Sequence, residues 1–183
     1  MVELKPDFEQ VLDRFEAWWQ GEIVDRPLVG FSYPKDPENR VSVPVSTHAS
    51  LHDRWMDADF AVASASARVN NTIFAGDALP VAYPNLGPEV FSAFYGCPLV
   101  FTETTSWSEP VLEDWDSVGT LSLDADNQYH RKILQITDGL LEIGRDRFLV
   151  GYTDLHGGGD AIAALREPQR LCIDVLERPD DVR

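Results

Sequence analysis

The sequence is poor in cysteine, in basic residues and in long apolar runs. Only two cysteines, Cys97 and Cys172, occur in 183 residues, far apart and in otherwise apolar settings. This pattern argues against a disulfide framework and a cysteine metal motif, and we expect two buried thiols. No window approaches about eighteen uninterrupted apolar residues, and the charged N-terminus lacks the apolar core of a signal peptide. The sequence therefore predicts a cytoplasmic protein without a membrane span.

The shortage of cations sets the charge of the chain. Its 15 lysines and arginines face 31 aspartates and glutamates, which gives a formal net charge of -16. Such a field repels nucleic acid and anionic membrane surfaces, so we expect neither as a partner. It also repels a polyanionic substrate unless cations gather locally. The content of 44% hydrophobic and 10% aromatic residues is typical of a globular domain, and the length suffices for one core.

Helical and strand-like patterns alternate along the chain. Apolar spacing predicts helices over residues 7–20, 47–70, 89–95, 126–144 and 168–176. Continuous apolar runs predict buried strands at 28–33, 73–82 and 147–153, and the segment after residue 96 predicts a hairpin insert. Strands that alternate with helices imply right-handed crossovers and a parallel sheet. The sequence therefore predicts an α/β fold with about three parallel strands.

Three parallel strands cannot close on themselves, and their outer edges would stay unpaired. The simplest interpretation is the N-terminal half of a longer (β/α)8 barrel. In this interpretation residues 1–183 form part of a single domain that is truncated at Arg183. Alternatively, another copy of the chain covers the edges. We therefore expect a homodimer or a missing C-terminal half as the partner of this chain.

The segment richest in functional groups is Arg147–Arg166. Its pattern is typical of a strand that delivers polar side chains into a glycine-rich turn before a helix, as α/β proteins present their sites. His156 is the candidate proton shuttle, because histidine titrates near neutral pH, and Asp154 or Asp160 would orient it. Two alternatives stay open: a metal held by these three residues, or a plain connection capped by Asp160.

Five segments in this order carry a resemblance to a known family: Asp25–Pro27, Phe74–Pro80, Ala93–Phe101, Phe148–Tyr152 and Glu177–Val182. Together they resemble the uroporphyrinogen decarboxylase family, which also includes corrinoid and methylcobalamin methyltransferases. The resemblance implies a TIM barrel with its site at the C-terminal ends of the strands, and a place in porphyrin biosynthesis. It implies no cofactor for a decarboxylase. For a methyltransferase it implies zinc, bound by a later part of the chain.

Asp77 matches the family best. It falls where the decarboxylases place an aspartate that faces the pyrrole nitrogens of the substrate, and a fixed carboxylate there would stabilise positive charge in the transition state. The sequence departs from the family after the first strand, where Lys35 and Arg40 are the only substitutes for its carboxylate-binding residues. It departs again at 154–160. These departures favour a less anionic substrate.

The sequence therefore predicts a decarboxylase-like carbon–carbon lyase acting on a small carboxylated or tetrapyrrole-type substrate. The predicted catalytic residues are Asp77, Asp154 and His156, with no metal ligands assigned. The predicted substrate-binding residues are Lys35, Arg40, Tyr152, Gly157, Gly158 and Asp160. One alternative is a zinc-dependent methyltransferase that acts with a corrinoid partner. Another is a non-catalytic fragment or assembly subunit.

Overall fold

The computed structural model describes residues 2–183, with the backbone alone at residue 120. The helices are α1 (Phe8–Trp19), α2 (Leu51–Trp55), α3 (Ala58–Asn70), α4 (Val90–Ala93), α5 (Gln128–Gly144), α6 (Gly159–Arg166), α7 (Pro168–Glu177) and α8 (Pro179–Val182). The strands are β1 (Gly30–Pro34), β2 (Thr72–Gly76), β3 (Val81–Ala82), β4 (Leu99–Phe101), β5 (Ser106–Ser108) and β6 (Leu149–Val150). The predicted mixed α/β class is confirmed.

The strands of residues 2–183 form three two-stranded sheets and close no barrel. β1 and β2 are antiparallel, with Gly30 opposite Gly76. β4 and β5 form the predicted hairpin, also antiparallel. Only β3 and β6 are parallel, with Val81 opposite Leu149. The expected sheet of three parallel strands is therefore wrong in its pairing, and the partial barrel is not confirmed.

The predicted second strand, residues 73–82, divides after Gly76. This glycine has a φ of +59°, which favours glycine, and a Cβ there would lie 2.2 Å from the carbonyl oxygen of Val29. The chain turns at this point, and the Asp77 N–H donates to the same Val29 oxygen at 2.9 Å. One apolar run thus contains two strands, because the backbone turn between them leaves the hydrophobic pattern unchanged.

The predicted helix over residues 47–70 is also divided. α2 begins after Ser50, whose Oγ accepts a hydrogen bond from the Asp53 N–H at 3.1 Å. The Trp55 Nε1–H donates to the Thr102 carbonyl at 2.8 Å, which fixes the end of this short helix against the β4–β5 turn. The predicted helix thus forms two helices, α2 and α3, and the apolar spacing indicated neither the break nor the contact of Trp55 with Thr102.

The chain divides into two compact units. The first unit consists of Met1–Ser46, Asp59–Tyr83 and Ile136–Gly151, and the second of Thr47–Ala58, Pro84–Gln135 and Tyr152–Arg183. The buried apolar side chains of the first unit include Val11, Val69, Ile136, Leu140 and Phe148. The core cluster of the second unit contains Cys97, Leu112, Trp115 and Leu165. Each unit therefore has buried apolar residues of its own.

The apolar faces predicted from helical spacing are confirmed in part. In α5, Ile133, Ile136 and Leu140 are buried, whereas in α1 only Val11 is buried and Trp19 is 82% exposed. The expectation of two buried thiols is correct for Cys97 and wrong for Cys172, which is exposed. In the described part of the chain no helix combines the length and apolar character that crossing a membrane requires.

Candidate functional site

The loop between β6 and α6 carries the acid and base groups that the sequence singles out. Residues 151–157 have irregular backbone, and α6 begins at Gly159. The Nε2 atom of His156 lies 3.0 Å from Oδ1 of Asp154. Their side chains are 54% and 34% exposed, so the contact adds little to stability. Its consequence is orientation: with Nε2 facing Asp154, Nδ1 is the nitrogen available for proton exchange with a ligand.

His156 borders a cavity of about 470 Å³ in the second unit. Its other lining residues come from the segment around α4 and from α6 to the start of α7: Pro88, Glu89, Phe91, Ser92, Asp160, Ala161, Ala163, Ala164 and Pro168. This volume lies within the range of small-molecule sites, and the lining is mostly apolar with a few polar groups, as is typical of such sites. The structure therefore brings two predicted site residues, His156 and Asp160, to one cavity.

Glu89 is an acidic side chain that lines this cavity and that the sequence did not single out. Its Oε2 accepts hydrogen bonds from the backbone N–H of Ser108 at 2.5 Å and from the Ser108 hydroxyl at 2.8 Å. These bonds hold the carboxylate at the cavity. A position before an apolar helix predicts only a helix start, and the fixing partner lies nineteen residues away on β5. No local pattern in the sequence could have paired them.

The cavity is acidic. Glu89 and Asp160 line it, and the lining residues that the structure describes include neither lysine nor arginine. Together with the net charge of -16, this arrangement disfavours a ligand with several carboxylates and favours one in which positive charge is present or develops. The expectation of a less anionic substrate stays a prediction.

Only one of the three loop glycines has a backbone conformation that favours glycine. Gly158 has a φ of +62°, which a residue with a Cβ rarely adopts, whereas a Cβ at Gly157 or Gly159 would meet no heavy atom within 4 Å. Only Gly158 is therefore needed for the backbone turn into α6. The space beside Gly157 is open, and Tyr152 is 92% exposed. The substrate-binding roles of both residues stay predictions.

Asp77 lies in the first unit, where four donors hold it. Arg26 donates to both carboxylate oxygens through Nη1 and through Nη2, the latter at 2.9 Å. Arg14 Nη1 donates at 3.2 Å and the Val29 N–H at 2.8 Å. The residue is only 3% exposed. The hydrogen bonds from Arg26, with a smaller contribution from the Val29 N–H, lower the pKa of the Asp77 carboxyl to about 2 against the opposing effect of burial. Asp77 is therefore ionised near neutral pH.

Arg14 extends this ion network to the surface. Its Nε and Nη2 donate to the two oxygens of Asp25 at 2.8 and 2.9 Å. The hydrogen bonds from Arg14 lower the pKa of the Asp25 carboxyl, and the same pair raises the pKa of Arg14. Asp25 and Arg26 belong to a segment that carries the family resemblance. In the structure, these two residues complete the charge balance around buried Asp77.

Lys35 and Arg40 also lie in the first unit. The Lys35 N–H donates to the Asn71 carbonyl at 2.8 Å, and Arg40 Nε donates to the Lys35 carbonyl at 2.7 Å. Both residues belong to the connection that follows β1. The structure therefore divides the predicted site: Asp77, Lys35 and Arg40 are in one unit, and the predicted residues from Tyr152 onwards are in the other.

Among the residues that the structure describes, no group of three or more His, Cys, Asp and Glu side chains is arranged to hold a metal ion. Asp154 and His156 form a pair without a third such ligand. No family model, curated protein or solved structure matches the chain. The resemblance to the decarboxylase family thus stays a prediction, and the function has to be inferred from the site itself.

Proposed function

We propose that the chain is a decarboxylase-like carbon–carbon lyase whose acid–base site is the cavity of the second unit. The observation that carries this proposal is the His156–Asp154 pair, 3.0 Å between Nε2 and Oδ1, with His156 bordering a cavity of about 470 Å³. A positioned imidazole is the commonest general acid or base in proteins. The volume suits a small substrate with one ring better than a large polycarboxylate.

The substrate class is a carboxymethyl group attached to an electron-rich ring, as in a pyrrole. His156, in its protonated form, donates a proton to a ring carbon and creates a cation. The bond between the methylene carbon and the carboxylate then breaks, its electron pair neutralises the ring, and carbon dioxide leaves. A second proton, taken up from solvent, converts the exocyclic methylene to a methyl group, and the ring proton returns to His156. The net reaction consumes one proton and needs no redox partner.

The acidic lining favours this reaction because it stabilises the transition state more than it stabilises the bound substrate. Glu89 and Asp160 repel the carboxylate of the bound substrate, and they attract the cation that forms when the ring is protonated. An interaction that is stronger in the transition state than in the ground state accelerates the reaction. Asp154 holds the imidazolium form of His156 in place during proton transfer. The first unit, with Asp77 in its ion network, contributes a scaffold, and the catalytic role predicted for Asp77 remains a separate hypothesis.

The proposal is tested by carbon dioxide release from a panel of ring-acetic acids, from single pyrroles to uroporphyrinogen. We expect His156→Gln to lower kcat by roughly 10²–10⁴-fold, the usual contribution of a general acid. The matched control is His52→Gln. His52 is similarly exposed, at 57%, and lies beside Asp53, but it does not border the cavity. No release by the wild-type chain from any member of the panel would contradict the proposed function, as would equal rates in the two variants.

A further inference from the structure

Within residues 2–183, no strand pairs with the outer edge of β1. In the β1–β2 ladder, the Asp77 N–H bonds to the Val29 carbonyl at 2.9 Å and the Lys35 N–H bonds to the Asn71 carbonyl at 2.8 Å. Backbone groups alternate in an antiparallel ladder, so those of Gly30, Ser32 and Pro34 point away from β2. All five residues of β1 are exposed. The edge therefore offers two N–H donors and three carbonyl acceptors.

The outer edge of β2, in contrast to that of β1, is capped by a lysine side chain. Lys5 Nζ donates to the carbonyls of Phe74 and Gly76, at 3.4 and 2.5 Å. Lys5 itself is only 2% exposed, so this edge is capped from within the first unit. A lysine on an edge is one of the devices by which proteins prevent further strand addition. β1 has no such cap among the described residues apart from Pro34 at its end.

One face of β1 is apolar and exposed. Val29, Phe31 and Tyr33 alternate onto this face and are 53%, 57% and 47% exposed. The rings of Phe31 and Tyr33 stack with centroids 6.4 Å apart. Across the ladder, Tyr33 lies opposite Ile73, which is 36% exposed. An open edge that adjoins an exposed apolar face is suited to pairing with another strand.

We propose that β1 pairs with β1 of a second copy of this chain, antiparallel about Ser32, to form a homodimer. The edge is complementary to itself under a two-fold axis. Each Ser32 N–H donates to the Ser32 carbonyl of the other copy, and each Gly30 N–H donates to the opposite Pro34 carbonyl. Phe31 of each copy then lies beside Tyr33 of the other on one face. Because Pro34 has no N–H, pairing stops there, and the interface is closed.

The area indicates how strong this dimer is. The exposed halves of two aromatic rings, each of about 150–250 Å², with part of Val29, supply roughly 300 Å² per copy. A standard stable complex buries about 800 Å² per partner. The backbone hydrogen bonds add specificity, but an interface of this size makes a weak dimer. Two chains of charge -16 repel each other, so raising the ionic strength strengthens the association.

The test is sedimentation velocity of the full chain from about 1 to 200 µM, a range over which a weak dimer changes its population. The wild-type mass is expected to rise from 20.5 kDa toward twice that value. Ser32→Pro removes the central N–H and should weaken association at least about tenfold, whereas Ser32→Ala keeps it and should match the wild type. Phe31→Glu, which leaves the backbone intact, should also abolish the dimer. Circular dichroism verifies that each variant is folded. A wild-type chain that stays monomeric, or a Ser32→Pro dimer as tight as the wild type, overturns the proposal.

Discussion

Replacing Asp77 by asparagine should destabilise the first unit without changing its shape. Asn has almost the same size as Asp but carries no charge, and its NH₂ group would face a donor of Arg26 or Arg14. Asp77 is 3% exposed and accepts from Arg26, Arg14 and the Val29 N–H. The substitution therefore removes the charge that these donors were arranged to bind, and it leaves donors with weaker or competing partners.

The magnitude follows from the pKa. The pKa of the Asp77 carboxyl is lowered from 3.8 to about 2, mainly by hydrogen bonds from Arg26, and each pKa unit corresponds to about 1.36 kcal/mol. Ionised Asp77 thus contributes about 2 kcal/mol to the free energy of unfolding. Breaking a fully buried ion pair costs about 3–5 kcal/mol. The Arg26 side chain is 38% exposed, so water replaces part of the partner that it loses. We therefore expect Asp77→Asn to lower the free energy of unfolding by an amount near the smaller of these two figures, about 2 kcal/mol.

The pH dependence has a definite sign. The folded pKa of Asp77 lies below the unfolded value, so its contribution is complete above about pH 5 and is lost as the pH falls through about 4 toward 2. The stability difference between the wild type and Asp77→Asn should therefore be largest near pH 7. It should shrink steadily in acid, because the protonated wild-type side chain loses the same charge.

Urea unfolding, followed by circular dichroism at a series of pH values, measures both effects. The control is Asp25→Asn, which changes a carboxylate of the same network whose side chain is 50% exposed, so its effect should be clearly smaller. A loss below about 0.5 kcal/mol for Asp77→Asn, the range of ordinary surface substitutions, would show that the buried charge is not needed. A loss of stability that is the same at pH 7 and in acid would also contradict the prediction, since the charge of Asp77 would then contribute nothing to stability.

Two further results are expected from the loop glycines and the thiols. Gly158→Ala should lower stability by at least about 1 kcal/mol, because of its positive φ, whereas Gly157→Ala should stay within about 0.5 kcal/mol; thermal unfolding compares them, and equal effects would contradict the assignment. In the folded chain a maleimide should label exposed Cys172 and spare Cys97, which is buried and whose pKa burial raises. Mass spectrometry counts the labels, and rapid labelling of Cys97 would contradict its burial.

Local patterns in the sequence predicted features that depend on residues close together in the chain. The apolar spacing of α5 predicted its buried side, and Ile133, Ile136 and Leu140 are buried as expected. The two-residue spacing of Asp154 and His156 within one loop brought an acid and a base into contact. An aspartate at position 77, within an apolar run, required a hydrogen-bonding partner or a function, and Arg26 is such a partner.

The sequence could not predict what depends on distant pairing. The apolar run at 28–33 indicated a covered parallel strand, but β1 is exposed and antiparallel to β2, because hydrophobicity does not encode which strand lies alongside. The end of the second strand depends on a positive φ at Gly76. Glu89 belongs to the cavity through Ser108 on another element. The pairing of β1 and the contact of Glu89 are fixed by tertiary contacts that have no local signature.

The proposed function depends above all on proton transfer by His156 during decarboxylation at the cavity of the second unit. Chemical rescue tests this step: carbon dioxide release is measured with His156→Ala, with and without added imidazole. His156 borders the cavity and its side chain is 54% exposed, so imidazole can enter the space that the substitution leaves. We expect the variant to release carbon dioxide at least about 10²-fold more slowly than the wild type, and imidazole to restore part of the rate. A variant that turns over at the wild-type rate without imidazole would show that His156 does not transfer the proton.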